Sequence, residues 1–196
     1  MWEHESKHYK RKRALQRVLG HAPLEWIIWR IRRRNYAKHG LAFVHIPKAA
    51  GSSISTLLYG RRLGHVSVEE IAAKMDLRAI ETFAILRDPY DRIESAYRYI
   101  CSGGTAEGAV SYRPEYSSPK FLDFQTFILD WLPGQDLSIV DPILRQQTAY
   151  VCDRSGDLVV NRLFCVEYIG LAEEWLAARG FGPLRKRNSN AKSTKS

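Results

Sequence analysis

The chain has 196 residues, 45% of them hydrophobic and 26% charged, which suits one domain with one core and excludes a chain disordered throughout. Its net charge of +9 is unevenly spread: residues 1–40 carry eleven Lys/Arg against three Glu, residues 185–196 five against no acid, and residues 41–184 fourteen against eighteen acids. A protein of long nucleic acids spreads basic residues over a folded face, so an acidic body with basic ends argues against nucleic acid as a partner and for arms or a membrane-surface segment.

The first predicted element lies in the basic N-terminal part. Leu24, Ile27, Ile28 and Ile31 fall at i, i+3, i+4 and i+7, with Trp26, Trp29, Arg30, Arg32, Arg33 and Arg34 among them. This is a short basic amphipathic helix, packed on the domain or laid against a membrane. The apolar run of residues 26–29 is far short of a transmembrane span, and the order of a signal peptide is absent. With no signal anchor, the cytoplasm is the expected compartment, at the inner face of a membrane if the helix meets lipid. The alternative is a Golgi lumen enzyme whose anchor has been removed. Three scattered cysteines, Cys101, Cys152 and Cys165, form no CxxC or Cys/His pattern. They predict neither a disulfide framework nor a zinc site, and they fit a reducing compartment.

Residues 41–46 are a strand that Pro47 stops. Gly51-Ser52-Ser53 opens a helix with Ile54, Leu57 and Leu58 inward, and Gly60 can end it. A second short helix covers 69–75. Residues 82–86 are a buried strand, and Asp88 caps the helix that follows, with Pro89 at its first position. Residues 101–119, rich in Gly, Ser and Tyr, read as a long loop of the kind that binds ligands. Residues 121–132 read as one helix with Phe121, Phe124, Phe127, Ile128 and Trp131 on one side. One or two strands follow within 158–166, then a helix over 170–179 and a polar tail over 183–196. Strands alternating with helices predict an α/β fold with a parallel sheet covered on both faces. The boundaries are a basic helical extension over 1–40, an α/β domain over 41–184 and a basic tail over 185–196.

The first strand runs straight into Pro47-Lys48-Ala49-Ala50-Gly51-Ser52-Ser53 and a helix. N–H groups at a helix N-terminus have no intrahelical partner and favour an anion. Gly51 permits close backbone approach, Lys48 supplies a point charge, and Ser52 and Ser53 supply hydroxyl donors. A Walker A loop would place Lys after a second glycine, and here Lys48 precedes Gly51. The second signal is Arg87 at the end of a strand, with Ser95 about two turns into the next helix. A guanidinium and a hydroxyl can hold a separate phosphate. The other reading is a structural strand–helix corner with Asp88 and Arg92 as an i, i+4 pair. Two anion sites on neighbouring strand ends suggest a nucleotide phosphorylated at two positions.

Residues 43–53, Phe-Val-His-Ile-Pro-Lys-Ala-Ala-Gly-Ser-Ser, resemble the "HIPKTGGTS" motif that binds the 5′-phosphosulfate in carbohydrate sulfotransferases. Residues 87–97, Arg-Asp-Pro-Tyr-Asp-Arg-Ile-Glu-Ser-Ala-Tyr, resemble the 3′-phosphate motif R-[DN]-P-x-x-R-x-x-S-x-Y of the same family. Both stand in the family's order and at a family-like distance. Weaker likeness continues through 141–148 (a segment usually ending R-P-Q), Glu167 with the helix after it, and Lys186-Arg187-Asn188. The match covers about residues 41–190 and includes bacterial and heparan 2-O-type enzymes. Ala49-Ala50 stands where the family has Thr-Gly, Gln146 where Pro is frequent, and Ile143 where His is common.

The resemblance implies a P-loop-like, three-layer fold with a central parallel sheet flanked by helices. It implies transfer of a sulfuryl group from 3′-phosphoadenosine 5′-phosphosulfate (PAPS) to a carbohydrate or glycolipid hydroxyl, leaving 3′,5′-adenosine bisphosphate and requiring no metal. Lys48 would neutralise charge on the leaving phosphate, and Ala49, Ala50, Gly51, Ser52 and Ser53 would cradle the 5′-phosphate. Arg87 and Ser95 would hold the 3′-phosphate, with Arg187 as a further contact. The base would be His65, since Gly64-His65-Val66-Ser67 resembles the segment carrying the catalytic His of uronyl 2-O-sulfotransferases. Glu69 and Glu70 are the reserve, with helix capping as their alternative role, and His45 reads as structural. Two other functions stay open: a small P-loop kinase-like phosphotransferase needing ATP and magnesium, and a non-catalytic module binding acidic glycan or membrane through the basic ends.

Overall fold

The computed structural model describes residues 21–105, 108–110, 114–137 and 140–184. In chain order they form α1 (His21–His39), β1 (Leu41–Val44), α2 (Gly51–Tyr59), α3 (Val68–Ala72), β2 (Glu81–Leu86) and α4 (Pro89–Cys101). Then come the two-residue strands β3 (Gly104–Thr105) and β4 (Gly108–Ala109), α5 (Phe124–Thr126), α6 (Thr148–Val151), β5 (Arg162–Cys165) and α7 (Ile169–Ala177). The described residues fall into two compact units, one within Arg33–Arg87 and Gln147–Ser196, the other within Met1–Arg32 and Asp88–Gln146. The boundary falls inside α1.

The first unit is α/β. Its sheet is three-stranded and parallel in the order β1-β2-β5, with Phe43 opposite Phe83 and Leu86 opposite Cys165. β1 is buried at every position, as its unbroken apolar run dictates for a strand covered on both faces. Ile54 and Leu58 of α2, Val68 and Ile71 of α3, and Ala172 and Leu176 of α7 are buried as well. Among the described residues β1 is an edge strand, and one side chain bonds to two of its main-chain groups. The Phe43 N–H donates to the Tyr59 hydroxyl at 2.9 Å, and that hydroxyl donates to the Leu41 carbonyl at 3.2 Å. α2 ends at Gly60, whose φ of 66° lies in the left-handed region, as the sequence predicts.

The second unit packs α4 with a run of short helical turns. Asp88 caps α4 by accepting from the N–H groups of Tyr90 and Asp91, and Pro89 follows it, as predicted. Ala96, Ile100, Tyr116, Phe121, Phe127, Trp131, Val140, Ile143 and Leu144 form its buried cluster. The single helix expected over 121–132 is broken. A 3₁₀ turn over Pro119–Phe121 precedes α5, and α5 runs into a π-helical turn over Phe127–Trp131. Asp123 explains the late start, because its side chain accepts from the Thr126 N–H and so caps the helix after Phe121.

α1 is longer than predicted, and Gly40 at φ 62° follows it. Leu24, Ile28 and Ile31 are half-buried, but Ile27 is exposed with Trp26, which is 62% exposed. Trp26, Ile27, Arg30, Arg33 and Arg34 therefore form an outward stripe at helical spacing. Among the described residues no helix is long and apolar enough to cross a membrane.

Candidate functional site

Parallel strands present their carboxyl ends to ligands, and the predicted phosphate residues follow the ends of β1 and β2. After Val44 the chain turns through residues 45–50. Lys48 has φ 66° and Ala50 φ 56°, both left-handed. Each such turn costs an L-residue about 1–2 kcal/mol, and strain of this kind collects at functional loops. Left-handed residues next to right-handed ones also turn successive N–H groups to one side, which makes an anion-binding concavity. α2 starts from this turn with Ala50 at its N-cap, so no side chain caps it and no acid sits in its first turn. No side chain of the described residues occupies the N–H groups of Gly51 and Ser52, where an anion would sit, while the Ser53 N–H donates to the Ala50 carbonyl at 3.2 Å. Among the described residues the Ser52 and Ser53 hydroxyls donate no hydrogen bond, while the Ser52 carbonyl accepts from Thr56. Ala49 is buried beneath the turn.

Gly51 has a further reason beside the one the sequence suggests. A Cβ there would fall inside the imidazole of His45, so the packing of that ring also requires glycine. His45 itself lies just past the last paired residue of β1 rather than within the strand, and it is 5% exposed. Its ring stands 4.4 Å from that of His65, centroid to centroid, and its carbonyl accepts from His65 Nδ1 at 3.2 Å. A carbonyl can only accept, so Nδ1 carries the proton and Nε2 is the acceptor nitrogen of the neutral ring. Exposed His65 is thus held in the tautomer a general base needs.

Of the reserve carboxylates, Glu70 has the capping role. Glu70 accepts from the Ser67 N–H at 2.7 Å, and the Ser67 hydroxyl accepts from the Glu70 N–H at 3.2 Å, a capping box at the start of α3. Glu69 pairs with Arg154 at 3.5 Å.

Two cations meet at the turn. Lys48 is half-buried, and burial followed by the positive charge of Arg87 brings its pKa down from 10.5 to about 8. Arg87 Nη1 donates to the Lys48 carbonyl at 3.4 Å. Such like charges are stabilised by an anion that neutralises both. The main chain of Arg87 is itself held: its N–H donates to Gln147 Oε1 at 3.0 Å, and Gln147 Nε2 donates to its carbonyl at 2.7 Å. Sequence reasoning missed Gln147. The available signal was its place as the last residue of the segment resembling R-P-Q.

The other predicted residues are placed as follows. Ser95 is buried in α4, within the second unit, and its assignment rests on the sequence motif. Arg187 lies outside the described residues. Arg92 is buried, and its guanidinium donates to the carbonyls of Ile143 at 3.1 Å and Arg145 at 2.7 Å. It is a buried scaffold residue. Among the described residues no three His, Cys, Asp or Glu side chains group as metal ligands would. Compared with known proteins, the chain matches no protein-family model, no curated protein and no solved structure.

Proposed function

We propose that this chain is a sulfotransferase of P-loop-like fold that uses PAPS as donor and a carbohydrate-type hydroxyl as acceptor. The observation that carries the proposal is the β1–α2 turn, where left-handed Lys48 and Ala50 lead into an uncapped helix and Arg87 stands beside Lys48. These residues fit a phosphosulfate and a second phosphate, two anions that need N–H donors and two fixed cations. When bound, PAPS supplies a sulfuryl group already joined to a phosphate leaving group. His65 Nε2 takes the acceptor proton as the hydroxyl oxygen bonds to sulfur. Lys48 holds the charge that the breaking S–O bond leaves on the 5′-phosphate. The first N–H groups of α2, with Ser52 and Ser53, orient that phosphate. Arg87 takes the 3′-phosphate; the motif assigns Ser95 to it too. The acceptor class comes from the resemblance.

The chain is proposed to work in the cytoplasm, at an anionic membrane face. The outward stripe of α1, with exposed Trp26 beside Arg30, Arg33 and Arg34, supports this placement. The kinase-like alternative keeps the same loop but requires ATP with magnesium.

Calorimetric titration with 3′,5′-adenosine bisphosphate tests the donor site without knowledge of the acceptor. The expected result is binding without metal, not matched by ATP–magnesium, and weakened about 10- to 100-fold by Lys48→Ala or Arg87→Ala. Absence of binding by the folded chain overturns the assignment, and preference for ATP–magnesium replaces it with the kinase reading.

A further inference from the structure

The main-chain groups of Arg87 sit where the sheet gives out. β2 ends at Leu86, whose pairing with Cys165 is the last on the β5 side, and pairing with β1 ends earlier, at Ala84. One residue later the N–H and carbonyl of Arg87 both meet the side-chain amide of Gln147, which accepts from one at 3.0 Å and donates to the other at 2.7 Å. A primary amide presents a donor and an acceptor side by side, so it reproduces both bonds of a neighbouring strand. Two bonds to one residue fix its backbone where a single bond leaves a hinge.

The Arg87 side chain starts from that fixed backbone. It reaches the Lys48 carbonyl at 3.4 Å and places its charge against the Lys48 ammonium. Gln147 opens α6 and is itself half-buried, so its position is set from a different part of the chain.

We infer that Gln147 is the positioning residue of the phosphate site, holding the Arg87 guanidinium in the orientation that meets the donor's phosphate. The inference rests on the proposed function. Gln147 touches no substrate and acts only through Arg87, so removing it is harmful only while Arg87 is present.

The test is a double-mutant cycle read by calorimetric titration with 3′,5′-adenosine bisphosphate. Gln147→Leu keeps the volume and removes both bonds. Gln147→Asn keeps the amide, is one methylene too short to bridge both groups, and covers the case in which the leucine variant does not fold. In the wild-type background either change is expected to raise Kd about tenfold. In an Arg87→Ala background the same change is expected to leave Kd within about twofold. An equal loss in both backgrounds, or no loss in the first, overturns the role of Gln147 and leaves the donor site standing. If the wild-type chain does not bind the bisphosphate, the donor-site reading falls and this role falls with it.

Discussion

Lys48 carries the clearest pH dependence. Its pKa falls from 10.5 to about 8 through burial and then through Arg87. A lysine whose folded pKa lies below its unfolded one binds more protons unfolded between the two values. Its contribution to stability therefore rises with pH from about 8 to 10.5. Lys48→Met should flatten that rise in urea-midpoint measurements taken at several pH values. Ligand binding runs the other way. A phosphate favours the ammonium form, so affinity for the bisphosphate is expected to fall as pH rises above about 8, and Lys48→Arg should hold it level over the same window.

At Ala50, with φ 56°, the sulfotransferase motif that residues 43–53 resemble has glycine. Ala50→Gly is expected to stabilise the chain by about 1 kcal/mol in equilibrium unfolding, since relief of left-handed strain exceeds the unfolded-state entropy cost. Bisphosphate affinity should not change, because the main chain makes the contact. At His65 the expected separation is between binding and chemistry. His65→Ala should leave bisphosphate affinity within about twofold and lower turnover by a factor on the order of 100 or more. The places of Lys48 and Arg87 just after the ends of β1 and β2 were legible in the sequence, because apolar runs mark where those strands end, whereas His65 was nominated through the resemblance. Gln147 was not, since its role depends on a partner 60 residues away.

Among the elements, β1 shows why strand order matters as much as strand pattern. Its apolar run predicts a buried strand, yet in the order β1-β2-β5 it is an edge. Buried edge groups need partners, and Tyr59 at the end of α2 supplies one hydroxyl to two of them. Burial, as the main cause, pushes its pKa well above 10, so it donates as a neutral phenol. Tyr59→Phe leaves the Phe43 N–H and the Leu41 carbonyl buried without that oxygen. A loss of about 1–3 kcal/mol is expected in chemical denaturation. A smaller change would mean that water replaces the hydroxyl. The strands and the helices after β1 and β2 were legible because short apolar runs and clear caps bound them. The region over 121–132 was misread because its aromatic spacing fits an α-helix, and spacing does not reveal the π turn over Phe127–Trp131.

At the scale of the whole molecule, the excess positive charge and the candidate phosphate site are different things. Residues 41–184 carry fourteen Lys/Arg against eighteen acids, yet Lys48 and Arg87 lie there, so the proposed site would work by local placement of two cations and not through net charge. In the proposed membrane contact the basic residues of α1 would act by number and proximity. Each Lys or Arg near an anionic surface contributes about 1 kcal/mol, screened over about 8–10 Å at physiological salt. The two properties should therefore separate. Arg30→Gln, Arg33→Gln and Arg34→Gln combined are expected to lower partition onto phosphatidylserine-containing vesicles on the order of 100-fold and leave bisphosphate affinity unchanged. Lys48→Ala should do the reverse. Raising salt from about 0.1 to about 1 M should abolish vesicle binding and only weaken nucleotide binding, because a partly buried cation is screened much less than an exposed one. Vesicle sedimentation beside calorimetry reads both properties on the same preparations. Parallel losses in the two assays would mean that one basic surface serves both ligands, which is the non-catalytic module in place of the enzyme.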